Sequence, residues 1–185
     1  MNWDTYFYNL CNAVSKNSKC LSRNLGAVIT RDKYIISTGY NGPPSGGSHC
    51  SDPKYREWLF HKANAEGIAP LSMKWNRMSY ESILTDNQCP RIHMGYKSGE
   101  GLEYCQAAHA ERNAIYTAAR LGHSVEGSTI YLNWIIPCFE CCKAIINSGI
   151  TEVVVTELKD YEQIGIIGRN LLEEANIKLR EYNFK

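Results

Sequence analysis

The chain has 185 residues, 44% of them hydrophobic and 21% charged, a balance that excludes wholesale disorder and fits one compact domain with room for an insertion. Lysine and arginine total 20 against 19 acidic residues, a formal charge of +1; this argues against polyanion or membrane-surface binding as the main role, although a local basic patch would still hold a phosphate. No run approaches the roughly 18 apolar residues of a membrane span, and the opening MNWDTYFYNLCNAVSKNSKC lacks the basic start and apolar core of a secretory signal, so the chain reads as cytosolic.

Trp3, Tyr6, Phe7, Leu10, Cys11 and Val14 recur at helical spacing and predict an amphipathic helix over about 2–16, with Cys11 in the core. Leu25–Thr30 and Tyr34–Tyr40 are β-rich runs joined by the polar turn Arg31–Lys33, which predicts an antiparallel hairpin. From Asn41 to about Tyr104 the pattern breaks down. Asn41–Gly47 is turn chemistry, and only short helices are expected beyond it, around 72–84. A segment that long without strong elements either carries function or is held together by something other than a core. Regularity returns with a helix over Ala108–Leu121 stopped by Gly122, a strand over Thr129–Trp134 and a helix opened by Pro137 and ending at Gly149. A strand over Glu152–Thr156, a helix over Gln163–Ala175 and a short strand over Ile177–Tyr182 complete the chain. The order α-β-β-α-β-α-β-α-β predicts one α/β domain over 1–185 with a mixed sheet and an irregular insertion at about 41–104.

Eight cysteines in a cytosolic chain point to metal ligation or catalysis rather than disulfides, against the plainer reading that they are small buried hydrophobes. His109-Ala-Glu111 opens one predicted helix, and Pro137-Cys138-Phe-Glu-Cys141 opens another. His109, Cys138 and Cys141 would meet where the two helix N-termini converge, and three protein ligands leave the fourth position of a tetrahedral zinc open to water. Helix N-termini also favour the thiolate form of cysteine. Glu111, two residues after His109, would sit beside that water without being a ligand. Cys142 is the alternative to its neighbour; a helix start set by Pro137 favours Cys138 and Cys141. H-x-E followed by P-C-x-x-C is the signature of zinc-dependent nucleobase deaminases.

Further runs extend the match: Cys20-Leu-Ser-Arg-Asn-Leu-Gly-Ala-Val-Ile, Ile36-Ser-Thr-Gly-Tyr-Asn-Gly-Pro-Pro-Ser-Gly-Gly47, HAERNAI from His109 to Ile115, and Ala144–Gly149. With these the chain resembles the dCMP deaminases of the cytidine deaminase superfamily over most of its length. Transfer-RNA adenosine deaminases share the zinc motifs but usually lack so long a cysteine-bearing insertion. The resemblance implies a three-layer α/β/α fold around a central mixed five-stranded sheet, and hydrolytic deamination of dCMP to dUMP and ammonia, supplying dUMP for thymidylate synthesis. On that reading zinc acidifies its water, attack falls on C4, and Glu111 carries a proton to the pyrimidine N3 and on to the departing amine. It also implies a hexamer, activated by dCTP and inhibited by dTTP with Mg2+.

Candidate substrate contacts are Arg23 and Asn24 for phosphate and sugar, Asn41 for the sugar, Ala110, and Tyr161 beside the base or phosphate. A solvated charge for Arg23 and a half-buried ring for Tyr161 are the plainer alternatives. The small residues Asn41, Gly42, Ser45, Gly46 and Gly47 would let backbone amides approach an effector triphosphate, or form only a turn. A second, structural zinc is expected from Cys20, Cys50, Cys89 and Cys105, with His93 and His49 as substitutes; some members of the family carry cysteines at the positions of Cys20 and Cys50 in such a site, and packed free thiols are the alternative. Two other functions stand beside the leading one. A deaminase acting on dCTP, or on a base in RNA or single-stranded DNA, is the first; the near-zero charge weighs against the nucleic-acid form. A non-catalytic zinc-stabilised module is the second, and it would have no use for Glu111.

Overall fold

Two β-branched runs, Gly26–Arg31 (β1) and Tyr34–Tyr40 (β2), pair as an antiparallel hairpin. Asp32 and Lys33 between them take positive φ, 52° and 68°, the left-handed pair that matches a tight turn to the twist of its strands. In the computed structural model, which describes residues 2–65, 80–85, 87–97, 99–160 and 162–184, the hairpin is one edge of a five-stranded sheet. Thr129–Leu132 (β3), Glu152–Val155 (β4) and Lys178–Glu181 (β5) complete it in the order β2-β1-β3-β4-β5. β3 runs antiparallel to β1, whereas β3, β4 and β5 are mutually parallel. Parallel neighbours need crossover connections, and helices supply them.

The helices of this unit are Trp3–Ser15 (α1), Ala110–Arg120 (α5), Phe139–Asn147 (α6) and Glu162–Glu174 (α7). Ala114 and Ala118 of α5, Ile145 of α6 and Leu172 of α7 pack on Ala27, Ile29, Ile130, Leu132, Val153 and Val155. On the other face α1 lays Phe7 and Cys11 against Val28, Tyr131, Val154 and Tyr182. The alternation of Ala27, Val28 and Ile29 between the two cores follows from the two-residue period of a strand, and it makes β1 a fully covered inner strand. Helix, sheet and helix form three layers, as the resemblance implies. Cys11 is fully buried and its thiol donates to the Tyr131 carbonyl at 3.2 Å; burial pushes that thiol up to about 12, so it is a core residue.

The unit formed by the chain up to Ser18, Asn24–Asn41 and the chain from Ala108 onward is closed by an ionic clasp. Arg180 on β5 donates to both Asp4 oxygens, at 2.6 and 3.1 Å, and to Glu152 at 2.9 Å. The Asp4 side chain is only 9% exposed. Arg180→Met is expected to lower unfolding stability by about 2 kcal/mol, because it leaves a mostly buried carboxylate without its cation; a urea titration reads the loss. A change within 0.5 kcal/mol would show that the pair is solvated in practice.

Lys19–Arg23 and Gly42–Ala107 form a second compact unit. It contains Pro53–Ala65 (α2), Tyr80–Thr85 (α3), Pro90–His93 (α4) and a single 3-10 turn at Leu102–Tyr104. Its small core is Tyr55, Leu59, Met94 and Tyr104, and the Tyr55 hydroxyl donates to the Tyr104 carbonyl. The 13-residue α2 corrects the expectation of short helices alone. Its buried face joins Tyr55 and Leu59, one turn apart, with Arg56, whose side chain is 1% exposed and donates to the Gln88 carbonyl at 2.9 Å. A charged residue inside the buried stripe hides the apolar period on which a sequence reading depends. Most of the helix expected over 72–84 lies outside the described residues. Among the described residues no helix is long and apolar enough to cross a membrane.

Candidate metal centre

His109 and Cys138 occupy equivalent places. Each is the N-cap residue of its helix, extended at φ −72°, ψ 156° and φ −65°, ψ 158°, and neither side chain caps its own helix. Their carbonyls start the helices, accepting from Asn113 N and Cys142 N at 3.0 Å each. The two side chains are therefore released from local bonding and turn toward each other. Cys141, in the first turn of α6, joins them: both sulfurs lie 3.4 Å from His109 Nδ1, and the three donor atoms are all within 4.8 Å of one another.

These separations suit a metal. Tetrahedral zinc, with bonds of about 2.0 Å to nitrogen and about 2.3 Å to sulfur, places such atoms about 3.6 Å apart. The donor set, one imidazole and two thiols, is that of a zinc site with one protein ligand missing. Glu111, in the first turn of α5, is 7% exposed, and its Oε2 is buried without a hydrogen-bond partner. A buried carboxylate oxygen left open beside a three-ligand cluster fits a centre that accepts a further molecule.

The electrostatics follow from burial and proximity. Desolvation pushes the Glu111 carboxyl above the usual range, and His109 works against that. The hydrogen bond between the thiols makes Cys138 the readier thiolate and leaves the proton on Cys141; His109, whose own pKa is raised by its hydrogen bond with Cys138, assists. Metal binding displaces this shared proton, so affinity falls as the pH is lowered. Arg112, the next residue of α5, escaped the sequence reading. Its positive charge lowers the pKa of His109, Glu111 and Cys141, and its Nε is buried without a partner. Its place directly after Glu111 in the helix was the available signal.

Cys142 faces away. It is fully buried, its thiol donates to the Pro137 carbonyl at 3.5 Å, and burial pushes it up to about 12. Cys142→Ala is expected to keep zinc at wild-type stoichiometry and to cost about 1 kcal/mol of stability. Metal analysis of the purified variant checks it, and loss of zinc would reassign the ligands.

The other predicted residues are placed as follows. Asn41 is 5% exposed; its Oδ1 accepts from Leu25 N at 2.8 Å and its carbonyl accepts from Ser18 Oγ at 2.8 Å, so it ties the end of β2 to the approach to β1. Ala110 is the buried first residue of α5, and Asn24 is exposed. Arg23 is half-buried in the second unit. Tyr161 lies outside the described residues. Gly42 is buried, while Ser45, Gly46 and Gly47 are exposed; Gly46 has φ 82°, and Gly47 N donates to the Pro44 carbonyl at 2.8 Å, which is a turn.

In the second unit, Cys89 is buried and Cys20, Cys50 and Cys105 are half-buried. Burial, then the proximity of Cys89, Cys20 and Cys105, pushes the Cys50 thiol up to about 11. Cys105 is raised by burial, with further contributions from Cys20 and Cys89. The four thiols therefore sense one another, more loosely than the first cluster: among the described residues only His109, Cys138 and Cys141 form a set of three or more donors within 4.8 Å. His93 is buried, and His49 Nδ1 lies 2.8 Å from Ser51 Oγ and 3.9 Å from Cys50 Sγ.

A three-donor His/Cys/Cys cluster that suits zinc, with an adjacent buried carboxylate, on two helix starts of a three-layer α/β/α sheet, is the arrangement of a class of hydrolytic deaminases. The family model described as the cytidine and deoxycytidylate deaminase zinc-binding region matches residues 1–157, and the chain belongs to that family. A deoxycytidylate deaminase of Enterobacteria phage T4 is 38% identical over 170 residues, covering 90% of this chain and 82% of that protein. The Schizosaccharomyces pombe deoxycytidylate deaminase is 28% identical over 180 residues, 97% of this chain and 44% of that one. The dCMP deaminase of cyanophage S-TIM5, solved in complex with dCMP and dUMP, shares the fold with a TM-score of 0.61 at 19% identity, over 96% of this chain and 94% of that chain.

Proposed function

We propose that this deaminase converts dCMP to dUMP and ammonia. The observation that carries the reading is the His109, Cys138, Cys141 and Glu111 constellation in a chain 38% identical, over 90% of its length, to a deoxycytidylate deaminase. Zinc, when bound, would lower the pKa of a water to near neutrality and so supply the nucleophile at the pH of function. His109, Cys138 and Cys141 would hold and orient the metal. Glu111 moves the protons: it takes one from the attacking water and places it on the pyrimidine N3, then takes the proton of the new C4 hydroxyl and delivers it to the 4-amino nitrogen, so that the C4–N bond breaks, ammonia leaves and the C4 carbonyl forms. Its buried, unpartnered oxygen, left open beside the donor cluster, suits a group that must both accept and give a proton, and burial raises its pKa in that direction.

The finer assignments belong to the same reading. Arg23, Asn24, Asn41, Ala110 and Tyr161 are the proposed substrate contacts, and the small residues Asn41, Gly42, Ser45, Gly46 and Gly47 the proposed site for dCTP or dTTP with Mg2+. The whole chain is read as a single deaminase-type domain with an insertion at about 41–104, assembled as a hexamer, acting in the cytosol and supplying dUMP for thymidylate synthesis. Cys20, Cys50, Cys89 and Cys105 are proposed to hold a second, structural zinc; their mutual proximity, and the small core of the unit they stand in, support it.

Ammonia release from dCMP, dCTP, deoxycytidine and a cytosine-containing oligonucleotide, each with and without dCTP or dTTP as effector, tests the proposal. Turnover of dCMP above the others is expected. Turnover of dCTP or of the oligonucleotide alone would replace it with one of the other deaminase readings, and silence on all four with zinc bound would leave a non-catalytic module. Two zinc ions per chain are expected by metal analysis; one alone would remove the structural site.

A further inference from the structure

We infer that Gly168 is a positioning residue for the metal centre: with no side chain there, α7 rests directly on the backbone that starts α6, and that contact sets where Cys138 stands. The inference rests on the reading that His109, Cys138 and Cys141 hold zinc.

Gly168 is buried in the interior of α7. A Cβ built on it would lie 3.0 Å from the Pro137 carbonyl oxygen, 3.3 Å from Phe139 N and 3.0 Å from Cys142 Sγ. Pro137 and Phe139 are the two neighbours of Cys138, so the contact brackets a metal ligand. The backbone of Gly168 has no positive φ, and alanine would favour that helical conformation over glycine. Local conformation therefore gives no reason for glycine here; the space does.

The size of the displacement decides the consequence. Relieving contacts at these distances takes a shift of a few tenths of an ångström, since unstrained carbon contacts begin at about 3.5 Å. An apolar core takes up such a shift through small adjustments of many side chains, at some cost in stability. A metal centre does not, because its bond lengths hold to within about 0.2 Å. The same displacement that is tolerable for packing is therefore large for Cys138.

The facing helix is built alike. A Cβ on Gly39 of β2 would lie 2.4 Å from the Ala110 carbonyl oxygen and 2.2 Å from Ala114 N, on the first two turns of α5, the helix that His109 opens. Each metal-bearing helix start thus rests on a glycine of the neighbouring element. The Gly39 contact is so close that any side chain would displace α5 as a whole, and its variants are expected not to fold. Gly168 is the graded position and the informative one.

The experiment compares wild type and Gly168→Ala, each prepared metal-free and zinc-loaded. Zinc affinity is read by chelator competition, the ligand field by the visible spectrum of the cobalt-substituted protein, stability by thermal unfolding, and turnover as kcat and KM separately. The expected result is a zinc Kd raised about tenfold, the scale of the groups that orient metal ligands. An altered cobalt spectrum and a lowered kcat with little change in KM are expected with it. The metal-free protein loses little stability, because the helix gain from alanine offsets part of the overpacking, and the zinc-loaded form loses more. Wild-type affinity and spectrum in the variant would overturn the inference, as would an equal loss of stability in the metal-free and loaded forms, which is a plain packing defect. Gly168→Ala combined with Cys142→Ala removes the sulfur contact and keeps both backbone contacts. The defect should persist; full recovery would place the effect in the Cys142 side chain and overturn the backbone assignment. A wild-type protein that binds no zinc would remove the zinc reading and this inference together, whereas a zinc-binding wild type matched by its variant removes this inference alone.

Discussion

Replacing Glu111 with glutamine is expected to leave zinc bound and to lower kcat about 10³-fold, within the range of a lost general acid/base. The substitution is close to isosteric in a buried position at the first turn of α5, so His109 should keep its place. What disappears is a group able to take a proton from one atom and give it to another. Metal analysis together with steady-state ammonia release checks this, and activity within tenfold of wild type would sink the assigned role. The same variant has a consequence for stability. The folded Glu111 has a raised pKa, chiefly from burial, so the metal-free protein is destabilised once the pH rises above the ordinary carboxyl range and the buried group is driven to ionise. Glutamine has no such charge. Metal-free Glu111→Gln should therefore unfold at a higher temperature than metal-free wild type at neutral pH, and the difference should vanish as the pH falls below the ordinary carboxyl range. Function here is held at some cost in stability.

The second large effect is expected from Cys141→Ser. Cys141 is fully buried and supplies one of the three donors. A serine hydroxyl stays protonated at neutral pH and is a far poorer ligand for zinc than a thiolate. Zinc affinity should fall by more than about 100-fold, beyond the loss associated with groups that merely orient ligands, and deamination should fall with it. Dialysis against a chelator followed by metal analysis and an activity assay reads both. Retention of zinc by Cys141→Ser, with loss of zinc from Cys142→Ala, would exchange the roles of the two neighbours. The contrast is sharp because one sulfur lies 3.4 Å from His109 Nδ1 while the next along the chain bonds the Pro137 carbonyl.

The difference between these adjacent cysteines was legible along the chain, because Pro137 sets the helix start and with it which of the two faces the cluster. Period and punctuation were enough to place α1, the β1–β2 hairpin and the alternating helices and strands from 108 onward, because the helices bury one apolar stripe and the inner strands are short apolar runs shared by the two cores. The motif residues were legible for a related reason: His109 and Cys138 stand at helix starts, which Pro137 and the H-x-E and C-x-x-C spacings mark along the chain. In the segment after Asn41 the period failed. α2 buries Arg56 beside Tyr55 and Leu59, and a pattern search discards a stripe that contains a guanidinium.

By itself, then, the sequence determined the donor types, the carboxylate two residues beyond His109, and the two helix starts that bear them, since these follow from local chemistry along the chain. Only the tertiary structure decided that His109 presents Nδ1 to both sulfurs and that Gly39 and Gly168 lie under the two metal-bearing helices. The reason is physical. Each of those facts depends on how closely one backbone approaches another across the fold, and a distance between segments remote in the chain is set by the packing of all the elements at once.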